Sequence, residues 1–197
     1  MALSKKFLYL FNKSIILNKI PSVWKHSNIL PIEKILNSTS PTDYRPISLL
    51  CIISKILEKI LHKQIVDYIT LYNILDSFQS GFQKHHSTNF LLINLTDDIC
   101  QGFHLDRITI LLMLDLSKAF DRVSHAILLD KLKAISFSPQ IIGWFSEYLS
   151  NRTQSVILEN KSSQGSVLGP LLFLVYMNDL SRKISYSKTL ISDFIRN

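Results

Sequence analysis

The ten residues from Leu114 to Val123, LDLSKAFDRV, hold the side chains of this chain best placed for chemistry. An apolar run, Ile108 to Leu114 (ITILLML), ends at the carboxylate of Asp115, and an aromatic, Phe120, follows five residues later. The run is β-prone and too short to cross a bilayer, so it predicts a strand buried on both faces, with Asp115 where that strand emerges. A carboxylate there suits phosphoryl transfer, because Mg2+ prefers oxygen ligands and one or two protein carboxylates suffice beside substrate phosphates. The same Asp could instead cap a helix starting near Ser117. Neighbouring segments must decide between the two.

Those segments predict an α+β architecture. MALSKKFLYLFNKSIIL is interrupted by Lys13, which argues against a signal peptide and for an amphipathic helix with Phe7, Leu8, Phe11, Ile15 and Ile16 toward the core. Pro21 to Pro46 reads as a short strand, a turn and a second extended segment. Ser48 to Ile69 predicts a helix with Leu49, Ile53, Ile56, Leu57, Ile60, Leu61 and Ile65 on one face and Lys55, Glu58, Lys59 and Lys63 solvated on the other. Ser87 can cap a further helix that carries Phe90, Leu91, Leu95 and Ile99 inward and ends at Gly102. Beyond Asp115 a helix is expected from Ala119 to Ile135. Ser138-Pro139 opens another through Leu149. RTQSVIL reads as a strand, and a last helix follows Gly169-Pro170 to about Ile184.

Composition bounds the partners. Twenty-two Lys and Arg against 15 Asp and Glu give +7, a balance that suits a phosphate backbone. With 197 residues, 47% of them hydrophobic, one domain can bury roughly 70% of its unfolded surface. The two cysteines, Cys51 and Cys100, form neither a disulfide framework nor a zinc spacing, which fits a reducing compartment. Val167 to Met177, the longest apolar stretch, is broken by Gly169 and Pro170, so no membrane span is predicted. An intracellular protein of cytoplasm or nucleus is expected.

Four blocks in order carry a resemblance: DYRPISLLCIISKILEKIL from Asp43, QSGFQKHHST from Gln79, LDLSKAFDRVSHAILLDKL from Leu114 and QGSVLGPLLFLVYMNDL from Gln164, with WFSEYLSNRTQ between the last two. Together they resemble the reverse transcriptase domain of non-LTR, jockey-like retrotransposons from about Pro21 to the C-terminus. The resemblance implies the fingers and palm of a right-hand polymerase over 1–197, with about 1–105 mainly fingers and about 106–197 mainly palm, and no thumb. RNA template, DNA primer and deoxynucleoside triphosphates are the implied partners. Two Mg2+ ions, with Mn2+ as a substitute, are the implied cofactors.

By that resemblance Asp115 is the first metal-binding aspartate, and the Leu116 carbonyl is a further ligand. Two ions about 3.5–4 Å apart activate the primer hydroxyl and stabilise the leaving pyrophosphate in such a site. Phe120 matches the steric gate that meets the sugar of the incoming nucleotide; its other reading is a core Phe. Arg45 matches a fingers arginine on the triphosphate, a task for which a guanidinium fork is well shaped. Lys34 is a weaker candidate for that task, since Glu33 stands where a Pro-Lys pair is usual. Gln164 and Gly165 match the pair that touches nucleotide and template, and Gly permits close approach.

The chain also departs from the family pattern. Gln83 and His85 stand where Arg and Gly are usual. The adjacent His85 and His86 diverge and have no third ligand nearby, so a metal there is not expected. Asp121, Asp97, Asp98 and Asp179 read as capping or surface acids. No Ala-Asp-Asp run occurs near the C-terminus, where KTLISDFIRN offers Asp193 as a catalytic, metal-binding acid. Glu159 to Ser163 lead straight into Gln164, without the expected returning strand. These departures predict a truncated copy with little or no polymerase activity. A nucleic-acid-binding remnant and a helical interaction protein are the alternatives.

Overall fold

The computed structural model describes residues 2–34, 36, 40, 43–76, 79–83, 86–116, 119–156 and 166–179. In chain order they form α1 (Ala2–Leu17), the single turn α2 (Ser22–Lys25), β1 (His26–Glu33), β2 (Tyr44–Leu49), α3 (Ile52–Leu71), α4 (Thr88–His104), a 3-10 turn (Phe120–Arg122), α5 (His125–Ala134), α6 (Pro139–Leu149), β3 (Thr153–Val156) and α7 (Leu168–Met177). The expected mixture of helices with a small sheet is present.

Helix starts follow local chemistry. Ser87, Ser124 and Ser138 each accept a hydrogen bond from the backbone N–H three residues on, at 3.2, 3.5 and 3.4 Å. Each hydroxyl thus satisfies one of the donors a helix leaves open at its first turn. Pro139 fills the first position of α6, where a missing N–H costs nothing. At the other end of α1, Asn18 takes a left-handed φ of 49° and the Gln140 amide donates to the carbonyls of Ile15 and Ile16. Gly143 lets this corner close: a Cβ there would meet the Asn18 amide at 2.6 Å.

The core is helical. Phe11 of α1, Leu57, Leu61, Ile65 and Ile69 of α3, Leu128 and Leu132 of α5, Trp144, Phe145 and Tyr148 of α6, and Leu168, Leu171, Leu172 and Val175 of α7 form one buried cluster with Ile20 and Trp24. The sheet, in the order β2-β1-β3, lies beside it. β1 pairs antiparallel with β2, and Pro31 stands opposite Pro46, so the two positions lacking an N–H coincide. β1 pairs parallel with β3 from His26 opposite Thr153 to Ile29 opposite Val156. The join is reinforced by Lys25, buried and bonded to Glu147 at 2.5 Å, and by His26 Nδ1 within 2.9 Å of Thr153 Oγ1.

Several expectations are corrected. Ile108 to Leu114 forms no strand, and its apolar side chains are exposed, Ile108 at 92%. A strand buried on both faces needs a neighbour on each edge, and the three described strands all pair elsewhere. The helix expected from Ser48 begins at Ile52, because Ser48 and Leu49 pair with Ile29 and Asn28. Ala119 to Ile135 is a 3-10 turn and a separate helix, divided at Val123, which is extended.

The inward faces of two helices are also rotated from those expected. In α1, Phe7, Leu10, Phe11 and Ile15 meet the core, whereas Leu8 and Ile16 are exposed. In α3 the buried stripe is Ser54, Leu57, Glu58, Leu61, Ile65 and Ile69, with Ile56 and Ile60 exposed, so Glu58 is not solvated. α4 runs past Gly102 to His104 and buries only Leu91. α7 starts at Leu168 with Pro170 in its first turn; its expected end near Ile184 lies outside the described residues. No described helix is long and apolar enough to cross a membrane.

Candidate functional site

Arg45 and Lys34 both lie toward the same end of the β1–β2 ladder. Arg45 stands opposite Ile32, and the Lys34 N–H donates to the Asp43 carbonyl at 2.7 Å, extending the register by one step. Residues two apart share a strand face, and directly opposed residues share it too. Arg45 and Ile32 therefore lie on a single face of the sheet, and the Lys34–Asp43 bond closes the ladder just beyond the strand ends.

Phe120 draws three sequence blocks together. Its ring lies 4.8 Å from that of Phe173 in α7 and 6.4 Å, edge to face, from that of Phe82 in the QSGFQKHHST block. Phe173 is buried, whereas Phe120 keeps 43% of its surface exposed. Aromatic packing thus holds the ring, while part of its surface faces solvent. Asp115 and Leu116 precede it on the exposed run, and Asp115 makes no ion pair or hydrogen bond among the described residues.

A polar hub that sequence reasoning missed joins α3, α6 and the start of α7. Glu58 is 1% exposed, and its carboxyl accepts from Tyr148 Oη at 2.9 Å, Ser54 Oγ at 3.4 Å, Ser166 Oγ at 3.2 Å and the Val167 N–H at 2.9 Å. Its neighbours thus supply the hydrogen bonds that water would otherwise give a buried acid. Ser166 and Val167 directly follow Gln164 and Gly165 in sequence, so the hub anchors the C-terminal side of that pair. The signal was faint but present: Glu58 falls four residues after Ser54 and one after Leu57, inside the stripe that Leu61 and Ile65 continue.

Burial, with the Glu58 carboxyl beside it, pushes the Tyr148 phenol well above its usual range, against a smaller opposing pull from Arg152. The Arg152 guanidinium lies 4.8 Å from the centre of that ring. Below about pH 10 both folded and unfolded chains keep the phenolic proton, and the contribution to stability is fully present. As pH rises beyond that, the unfolded chain loses the proton that the folded chain retains, and stability falls. Urea midpoints measured from about pH 8 to 11 should drop more steeply in the native chain than in Tyr148→Phe. That variant should itself lose roughly 1 kcal/mol at neutral pH. Parallel slopes would contradict the assignment.

Gln164, Gly165 and Asp193 lie outside the described residues, as does His85. His86 rests its ring edge to face on Phe90, 5.7 Å away, and the described residues contain no group of three His, Cys, Asp or Glu fit to hold a metal. Asp179 pairs with Lys131, and Asp97 accepts from Gln101 at 3.1 Å on the exposed side of α4. A cleft of about 200 Å3 is lined by Ile69, Thr70, Asn73, Leu75, Asp76, Gln83 and His86. It is smaller than the roughly 300–1,000 Å3 of ordinary ligand pockets, and it does not contain Asp115, Arg45 or Phe120.

Comparison with known proteins bears on these residues as a set. The family model described as reverse transcriptase (RNA-dependent DNA polymerase) matches residues 31–193. The chain is 36% identical over 190 residues to a probable RNA-directed DNA polymerase from transposon BS of Drosophila melanogaster, covering 89% of this chain and 21% of that protein. It is 32% identical over 184 residues to the RNA-directed DNA polymerase from mobile element jockey of the same species, covering 87% and 20%. It is 33% identical over 197 residues to a probable RNA-directed DNA polymerase from transposon X-element, also of that species, covering 93% and 22%. The chain spans about a fifth of the length of these curated relatives. On this evidence it belongs to the reverse transcriptase family, as a domain of the non-LTR retrotransposon type.

Proposed function

We propose that this chain is the fingers and palm portion of an RNA-directed DNA polymerase, with about 1–105 mainly fingers and about 106–197 mainly palm, acting on an RNA template, a DNA primer and deoxynucleoside triphosphates. The observation that carries this reading is Phe120, packed between Phe82 and Phe173 with part of its surface exposed, five residues after the exposed Asp115. A ring held that way can exclude a 2′-hydroxyl without collapsing into the core. Arg45 and Lys34, toward the same end of the β1–β2 ladder, serve the triphosphate. Gln164 and Gly165 serve the nucleotide and template.

The family generally uses divalent metal ions. Asp115 and the Leu116 carbonyl are hard oxygen donors, and one or two carboxylates beside phosphate oxygens fit the habits of Mg2+ and Mn2+. In this reading they hold the ion, with Asp193 as the second acid. Bound there, the metal would lower the barrier to primer attack and stabilise the leaving pyrophosphate. The chain's own residues orient and bind: Arg45 and Lys34 grip phosphate, and Phe120 sorts the sugar.

By itself the chain should be a poor catalyst. Asp115 lies on an exposed run that pairs with no strand among the described residues, and a displacement of about 1 Å at a reacting centre can cost about 100-fold in rate. Primer extension on an RNA template with Mg2+ or Mn2+ should stay at background, while RNA:DNA hybrids bind with an affinity that falls as salt rises. Robust incorporation abolished by Asp115→Ala would overturn the expected inactivity. Failure to bind hybrids at low salt would overturn the nucleic-acid reading of this chain.

A further inference from the structure

Phe82, which meets Phe120 edge to face, holds a left-handed φ of 55°. For a bulky side chain that conformation is strained, and it persists only where the chain around it is pinned. Two side chains do the pinning. Just past the end of α7, Asn178 Nδ2 donates to the Ile74 carbonyl at 2.9 Å, while its Oδ1 accepts from the Asp76 N–H at 2.8 Å. One amide thus answers a backbone acceptor and a backbone donor together, which a carboxylate, having no donor, cannot do. Gln79, fully buried, donates through Nε2 to the Leu174 carbonyl at 3.4 Å, filling an acceptor that the last turn of α7 leaves open. Its own N–H donates to the Asp76 carbonyl at 3.1 Å, and its carbonyl accepts from Gln83 Nε2.

Resting on the reading of Phe120 as the ring that sorts the sugar, we propose that Asn178 and Gln79 are positioning residues for that discrimination. They fasten the segment that carries Phe82 to α7, so that Phe82 and Phe173 hold the Phe120 ring from a common base.

The two supports reach that base differently. Phe173 belongs to α7 and lies 4.8 Å from Phe120, whereas Phe82, 6.4 Å away, is tied to α7 through the bonds of Asn178 and Gln79. An edge-to-face contact is favourable only over a narrow range of tilt and separation. Cutting either pin lets the strained turn at Phe82 relax, and Phe120 then keeps one firm support. A ring excludes a 2′-hydroxyl only while it cannot swing aside. Arg45 and Lys34 grip phosphate from the β1–β2 ladder, away from these pins, so sugar preference should fall without a matching loss of nucleotide affinity. General loosening of the fold would lower both.

Equilibrium binding of dATP and ATP to the full chain, with an RNA:DNA hybrid and Mg2+, tests this. The native chain should prefer dATP, and Phe120→Ala should bring the two affinities close together. Asn178→Asp turns the donor aimed at Ile74 into an acceptor at constant size, and Gln79→Ala removes the bond to Leu174. Each should shrink the preference about fivefold while dATP affinity stays within about twofold of native. With 4-fluorophenylalanine at position 120, the 19F resonance should shift in both variants, reporting the ring's displacement without any nucleotide. A preference erased by Phe120→Ala but untouched by Asn178→Asp and Gln79→Ala overturns the proposal and leaves the gate standing. So does a 19F resonance that neither variant moves, or an equal loss of both affinities. No preference in the native chain overturns the gate reading itself, and the role of the two pins with it.

Discussion

Glu58→Ala is expected to remove on the order of 3–5 kcal/mol of folding stability, a large share of the 5–15 kcal/mol that holds a typical domain. The loss comes from what the deleted carboxyl leaves behind. Tyr148 Oη, Ser54 Oγ, Ser166 Oγ and the Val167 N–H all donate to it, and the side chain is 1% exposed, so water cannot replace it without opening the α3–α6–α7 junction. Glu58→Gln should be far milder, about 1 kcal/mol. Its amide N–H2 can face the Tyr148 and Ser54 hydroxyls, which are able to accept, while its oxygen still receives the Val167 N–H and Ser166. Urea unfolding followed by circular dichroism separates the two. Equal losses from Ala and Gln would mean that an amide of the same volume cannot stand in for the carboxylate, and that its four acceptor contacts, not its bulk, set the cost.

The same hub shows where sequence reasoning stops. The start of α6 was legible at Ser138-Pro139 because cap and first-turn proline act within four residues, and the β1–β2 ladder was legible from its proline punctuation. The inward face of α3 was not. Periodicity alone favours the side with Ile56 and Ile60, yet Tyr148 and Ser166, 90 and 108 residues downstream, pull the helix round to bury Glu58. Ile108 to Leu114 failed for a related reason: local composition reports β-propensity, but a strand exists only where a distant segment supplies the other half of its hydrogen bonds. Among the candidate site residues, Phe120 was singled out by the family resemblance of the block that holds Asp115. Its packing between Phe82 and Phe173 needed the fold.

Trp144→Ala is the second large effect, about 3–5 kcal/mol. The indole is 1% exposed, stacks on Tyr148 at 5.2 Å and meets Phe145 edge to face at 5.5 Å. Its N–H donates to Ser14 Oγ at 3.1 Å, while that hydroxyl donates to the Lys19 carbonyl at 2.7 Å, so one ring ties α6 to the end of α1. Trp144→Phe keeps most of the apolar contact and leaves Ser14 its own acceptor; about 1–2 kcal/mol should be lost. Combined with Glu58→Ala, Trp144→Ala should cost less than the two separate losses, because both act through Tyr148, whose hydroxyl serves Glu58 and whose ring serves Trp144. Coupling of roughly 0.5–3 kcal/mol is the range for residues that share a partner in this way. Strict additivity in a double-mutant cycle would show that Tyr148 does not transmit between the hub and the α1–α6 packing, and that the two halves of the core are held independently.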